Sequence, residues 1–195
     1  LSVSQKVSGD RSVFCEAYVV YHNLVLGPAK GGIRISPTAS LEGTRNLAAI
    51  MTYKNALMGL PFGGGKSAIR VPAAGLDEYE RHVLIREFVH MIREELEVGH
   101  YIPAPDMGSG PGDMAVIFGE LHRPECVTGK PVRIGGLPGR LEATGRGVAA
   151  AARLAADRIL QRPLQDLTVA VQGFGNVGRW TALFLSRMGA RVVGV

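Results

Sequence analysis

The chain has 195 residues, 46% of them hydrophobic, which is enough for a core in one or two domains. Its net charge of +5 is uneven: residues 1–128 carry 12 basic and 14 acidic side chains, residues 129–195 carry 10 and 3. No Lys/Arg run is interleaved with aromatics, no stretch approaches ~18 uninterrupted apolar residues, and the N-terminus lacks the build of a signal peptide, so neither nucleic acid nor a membrane is an expected partner.

Residues 13–22 are rich in β-formers and predict a strand. Gly27-Pro28-Ala29-Lys30-Gly31-Gly32-Ile33-Arg34 predicts a turn-rich link into a second extended piece, and Lys30 by itself reads as an ordinary loop lysine. A helix is expected over 41–57. Its apolar positions Leu47, Ile50, Met51, Leu57 and Met58 recur at helical spacing, with Lys54 on the same stripe. A lysine there either meets an acceptor or snorkels from the stripe's margin to water.

Leu60-Pro61-Phe62-Gly63-Gly64-Gly65-Lys66 then predicts a glycine loop, followed by a strand over 66–71. Three glycines clear the approach to Lys66 and let backbone come close to a ligand. The loop is not a P-loop, because Leu60 stands where that motif needs its first glycine. Asp77 with Glu80 reads as a helix start, opening an amphipathic helix to about residue 97 with Leu84, Phe88, Met91, Ile92 and Leu96 inward. In Tyr101-Ile102-Pro103-Ala104-Pro105-Asp106-Met107-Gly108, two prolines make a rigid mount for Asp106. The plain alternative is a turn aspartate, or a cap for a helix near 113–121.

Composition shifts over 122–131, and the domain boundary is placed there: residues 1–128 form one domain and 129–195 begin a second. After the glycine-rich stretch around Gly139, a helix of small residues runs to Ala156. A buried strand is predicted over 167–172, followed at once by Gly173-Phe174-Gly175-Asn176-Val177-Gly178, a helix and the next strand from Arg191. A strand before and a helix after make this a dinucleotide-binding fingerprint, with Gly173, Gly175 and Gly178 admitting a pyrophosphate to the helix N-terminus. That strand ends the chain and the first residue is not Met, so a fragment is expected. Cys15 and Cys126 suggest no disulfide framework, which favours a cytoplasmic setting, and no His/Cys spacing suggests a metal.

Taken together, these motifs resemble the glutamate, leucine, phenylalanine and valine dehydrogenases, most of all the glutamate-specific members. The matching stretches are 27–34, Met51-Thr52-Tyr53-Lys54, 60–66, Pro103-Ala104-Pro105-Asp106, 139–147 and 173–178. The resemblance implies an α/β architecture in which an N-terminal substrate domain of mixed sheet and helices precedes a Rossmann-type domain. It also implies oxidative deamination of L-glutamate to 2-oxoglutarate and ammonia with NAD or NADP, and a homo-hexamer.

By the same resemblance, Lys66 is the catalytic lysine and Asp106 the proton shuttle. Lys30, beside Gly31, holds the side-chain carboxylate, and Lys54 the α-carboxylate. Arg140 and Thr144 lie near the nicotinamide, and Gly173, Gly175, Asn176, Val177 and Gly178 at the pyrophosphate. The alternatives are a branched-chain or aromatic amino-acid dehydrogenase, against which Lys30 argues, and a silent regulatory paralogue. Two positions depart from the family pattern. Ser67-Ala68 follow the lysine where glutamate enzymes often have two glycines, and Met107-Gly108-Ser109-Gly110 follow the aspartate where a Thr-Asn pair is common.

Overall fold

A computed structural model describes residues 1–8, 11–71 and 75–195. They divide into two compact units, Leu1–Gly136 and Leu137–Val195.

Five strands form the sheet of the first unit: β1 (Ser2–Ser8), β2 (Arg11–Asn23), β3 (Ala29–Ser36), β4 (Gly63–Arg70) and β5 (Tyr101–Pro105). Their order is β1-β2-β4-β3-β5. β2 runs antiparallel to β1 and β4, while β3 is parallel to both β4 and β5. Parallel neighbours need crossovers. Helix α1 (Leu41–Leu57) makes the one between β3 and β4, and α2 (Glu78–Met91) with α3 (Arg93–Glu97) lies between β4 and β5. Helix α4 (Pro111–Leu121) follows β5.

Strand alternation gives the sheet two distinct faces. Ala29, Ile33, Ile69 and Tyr101 are buried in the main core with Leu84 and Phe88 of α2 and Met114 and Ile117 of α4. Lys30, Gly32, Arg34, Gly64, Lys66 and Ala68 alternate with them and share the face that α1 covers.

Five expectations are corrected by this fold. The glycine run is not a loop: Gly63, Gly64 and Gly65 are buried within β4, and none has a positive φ. Their role is close packing. A Cβ on Gly64 would sit 2.0 Å from Thr52 Oγ1 and 2.5 Å from the Ala48 carbonyl oxygen on α1. That closeness also overturns the expected inner stripe of α1, which buries Thr44, Ala48 and Asn55 and leaves Ile50 (57% exposed), Leu57 (86%) and Met58 (67%) outside. Only short side chains fit between a helix and a glycine strand this near.

The helix expected over 77–97 is divided at Ile92 into α2 and α3. Leu84, Phe88, Ile92 and Leu96 are buried and Met91 is exposed. Its start is as read: Asp77 and Glu80 form a reciprocal capping box. The proline-rich mount before Asp106 is itself a strand, β5. It tolerates Pro103 and Pro105 because it is the edge of the sheet, where a missing N–H leaves no ladder bond unmade.

The second unit holds α5 (Arg140–Ala155), β6 (Thr168–Ala170), α6 (Asn176–Arg187) and β7 (Arg191–Gly194). β6 and β7 pair in parallel, so β6-α6-β7 is a βαβ unit. Ala149, Ala156, Leu164, Leu185 and Ala190 form its core. β6 is shorter than the expected 167–172 and is exposed at Thr168 and Ala170, because in its two-stranded sheet only β7 flanks it.

Candidate active site

Lys66 lies in the interior of β4 and is 4% exposed. Its Nζ is 2.7 Å from Asp106 Oδ1. Asp106 follows the edge strand directly. Its Oδ2 accepts a 2.8 Å hydrogen bond from Arg34 Nε. The carboxylate caps no helix: α4 starts at Pro111, and the Gly110 N–H is taken by Asp113 instead.

The Asp106 backbone is fixed as well. Its N–H donates to Ser109 Oγ at 2.9 Å, and that hydroxyl donates to the Ile33 carbonyl at 2.7 Å. Gly108 closes the turn at φ +82, where a Cβ would strike the Ile35 carbonyl oxygen.

The electrostatics follow from these positions. Burial pushes the Lys66 ammonium below the ordinary lysine range. Asp106 opposes that shift, while the charges of Arg34 and Lys54 add to it. Burial alone would raise the Asp106 carboxyl, but hydrogen bonds from Lys66 and Arg34 outweigh it and hold the group below its usual value. An amine whose proton is loosened by burial, beside a half-buried carboxylate held in its charged form, can take a proton and pass it toward solvent.

Lys30 is half-buried in β3, in register with Gly64 and Ile102, which puts it on the Lys66 face. Lys54 sits in the last turn of α1 and is exposed. The following residue anchors that turn: Asn55 is buried and its Nδ2 donates to the Gly63 carbonyl at 2.7 Å. Gly31 is buried between β4 and β5, its carbonyl accepting from the Tyr101 hydroxyl at 3.1 Å. Of the two residues that depart from the family pattern after the lysine, Ser67 points to the core and bonds Tyr101 at 2.8 Å, on the opposite face from Lys66, while Ala68 lies on the Lys66 face, in register with Arg34.

The sequence reading missed Arg34 and Ser109. The period-2 placement of Lys30, Gly32 and Arg34 would have put Arg34 on the Lys66 face, and Ser109, three residues after Asp106, has the spacing of a side chain that closes a turn.

In the second unit, Gly173 has φ +88, and a Cβ on Gly178 would lie 1.9 Å from the Gly173 carbonyl oxygen. The chain can therefore fold tightly back onto the start of α6. Nothing stands within 4 Å of a Cβ on Gly173 or Gly175, and no side chain caps the α6 N-terminus. Open space, free N–H groups and the positive end of a helix fit a dinucleotide's pyrophosphate. Asn176 Nδ2 donates to the Leu141 carbonyl, tying this turn to α5. Arg140 and Thr144, in the first turns of α5, are exposed.

Among the described residues, no group of three or more His, Cys, Asp or Glu is arranged to hold a metal, and no helix is long and apolar enough to cross a membrane.

Comparison with known proteins adds an independent finding. Residues 1–123 match the family model described as Glu/Leu/Phe/Val dehydrogenase, dimerisation domain, and residues 135–195 match that of Glutamate/Leucine/Phenylalanine/Valine dehydrogenase. The chain is 43% identical over 180 residues to a glutamate dehydrogenase of Aeropyrum pernix, covering 89% of this chain and 43% of that protein. It is 45% identical over 186 residues to one of Thermotoga maritima, covering 91% and 44%. A hetero-hexameric glutamate dehydrogenase from Thermus thermophilus, in a Leu-bound form, matches in structure with TM-score 0.90 and 36% identity, over 99% of this chain and 48% of that one. The chain thus spans less than half the length of these relatives. It belongs to the Glu/Leu/Phe/Val dehydrogenase family, and within that family it is most like the glutamate dehydrogenases.

Proposed function

We propose that the intact protein oxidatively deaminates L-glutamate to 2-oxoglutarate and ammonia, with NAD or NADP as hydride acceptor. The observation that carries this reading is Lys66, a buried lysine 2.7 Å from Asp106 whose proton is loosened by burial. Family membership supports the reaction class, and the likeness to glutamate dehydrogenases supports the substrate. In this reading residues 1–128 form the substrate domain and the dinucleotide domain begins at 129. A nicotinamide dinucleotide held at Gly173, Gly175, Asn176, Val177 and Gly178, with Arg140 and Thr144 toward its nicotinamide end, supplies hydride acceptance at the substrate's Cα.

The chain's other residues bind and move protons. Lys30 pairs with the side-chain carboxylate, with Gly31 contributing adjacent backbone, and Lys54 pairs with the α-carboxylate. Lys66, as the neutral amine, takes the proton of the water that adds to the substrate's iminium carbon. Asp106, half-exposed, carries protons between that lysine, the departing amine and solvent. The dimerisation-domain match supports self-association and the hetero-hexameric relative supports a six-subunit assembly, read here as copies of this chain, and two free, buried cysteines support a reducing, cytoplasmic setting.

The test is the initial rate of NAD(P)⁺ reduction with L-glutamate, L-leucine and L-phenylalanine. Glutamate is expected to lead. A more than tenfold preference for either apolar amino acid overturns the substrate. No turnover of any of the three, with dinucleotide binding intact, makes the protein a non-catalytic subunit.

A further inference from the structure

We propose that Arg34 is the positioning residue of the Lys66–Asp106 pair, its Nε–H holding Asp106 Oδ2 so that a single oxygen, Oδ1, faces Lys66. The proposal deepens the reading of Lys66 as the base and rests on it for its catalytic meaning. A carboxylate beside a lysine can rotate and offer either oxygen or both, and the more it offers, the more firmly the ammonium form is held. Arg34 removes that freedom. Its Nε is 2.8 Å from Oδ2, while Lys66 Nζ is 2.7 Å from Oδ1, so each oxygen has its own cation.

The mount is braced from three sides. Gly32 lies between Lys30 and Arg34 on the same face, and a Cβ there would come within 2.7 Å of Asp106 Cβ, so the carboxylate can sit directly over the strand. Ser109 takes the Asp106 N–H and donates to the Ile33 carbonyl, one residue before Arg34. Ile35, one residue after Arg34, donates its N–H to the Met107 carbonyl. The arginine and the aspartate are therefore carried by backbones bonded to each other on both sides of the contact.

Arg34 also acts by charge. The ionic groups acting on Lys66 are Asp106 from the turn after β5, Arg34 from β3 and Lys54 from α1. Lys30 lies further along β3 on the same face, His22 of β2 bonds Thr52 on α1, and the Glu16–Arg70 pair closes the far end of that face. Removing Arg34 takes away a neighbouring positive charge and frees the second Asp106 oxygen. Both changes favour the ammonium form, so their effects add.

The experiment is competitive labelling of Lys66 with trace acetic anhydride across pH, read by mass spectrometry of its peptide, since only the neutral amine reacts. It needs no turnover and no cofactor. In Arg34→Met and Arg34→Gln the labelling midpoint is expected to rise by about one pH unit, which is about a tenfold loss of labelling near neutral pH. Arg34→Lys, which restores the charge, is expected to recover most of the shift. Circular dichroism establishes that each variant is folded, and the two neutral variants guard against one failing to fold. An unmoved midpoint in a folded neutral variant overturns the proposal and leaves Arg34 a brace of the fold. Glutamate turnover with an unmoved midpoint defeats this inference alone. A moved midpoint in a protein that oxidises no amino acid defeats the functional reading alone.

Discussion

At the scale of single residues, the proposed chemistry rests on Lys66 and Asp106, and each has its own expected failure. Lys66→Ala should abolish glutamate turnover and leave dinucleotide binding as it was, because Lys66 and the Gly173–Gly178 turn lie in different compact units. Rates within tenfold of the parent would remove Lys66 from the base's role. Asp106→Asn should slow turnover by ~100-fold or more, as loss of a proton carrier does, and it should also move the pH profile. Asp106 holds the Lys66 proton in place against burial, so its loss lowers the lysine's pKa, and the rising limb of kcat/KM against pH should shift to lower pH.

The stability of the Asp106 pair has its own sign. The folded carboxyl sits below its ordinary value, so the stabilisation is complete above that ordinary value and fades as pH falls through the depressed one. Urea titrations of the parent and Asp106→Asn should therefore differ at neutral pH and converge in acid.

Lys30 is the residue that would read the substrate's far end. Leaving a buried carboxylate without its cation costs about 3–5 kcal/mol, or roughly two to four decades in kcat/KM. Lys30→Leu should cost glutamate that much and leave norvaline unaffected. Equal losses on both substrates would mean that Lys30 supports the pocket's shape instead.

Helix α1 lying on strand β4 decides the site at the scale of elements. Lys66 is held in a strand interior whose three preceding residues are glycine, and α1 takes the space their side chains would fill. Gly64→Ala would push Thr52 and Ala48, and α1 with them, away from β4. Overpacking of this kind costs about 1–3 kcal/mol, to be read as a lower urea midpoint. It should also raise KM for glutamate more than it lowers kcat, since Lys54 rides on the displaced helix. An unchanged midpoint would mean that the space between α1 and β4 admits the added methyl group. Asn55 makes the same link with one hydrogen bond to Gly63, tying the turn that carries Lys54 to the strand that carries Lys66.

At the largest scale, the described residues form two compact units, one carrying the lysines and the aspartate, the other the glycine fingerprint. The chain between them offers exposed residues at Val132, Arg133, Leu137 and Arg140. Before it, Lys130 is buried, its Nζ donating to the Pro124 and Val127 carbonyls. Limited trypsin digestion should therefore cut first after Arg133 or Arg140 and release two resistant fragments. A first cut within β4 or α6 would contradict the division.

Much of this protein was legible in its sequence. The Asp77–Glu80 capping box, the strand-turn-helix around Gly173–Gly178 and the helix over 41–57 all rest on residues within a few positions of one another, where propensity and spacing act directly. The rest needed the fold. Whether Gly63–Gly65 is a loop or a strand depended on a helix packing over it, and the same packing decided that Ile50, Lys54, Leu57 and Met58 face outward. The partners of Asp106 were hidden for a simpler reason. Arg34 is 72 residues before it, and the carbonyl that anchors Ser109 is 76 residues before that serine. No local pattern encodes such a meeting, because the register of β3 between β4 and β5 brings those residues together, and register is a property of the assembled sheet.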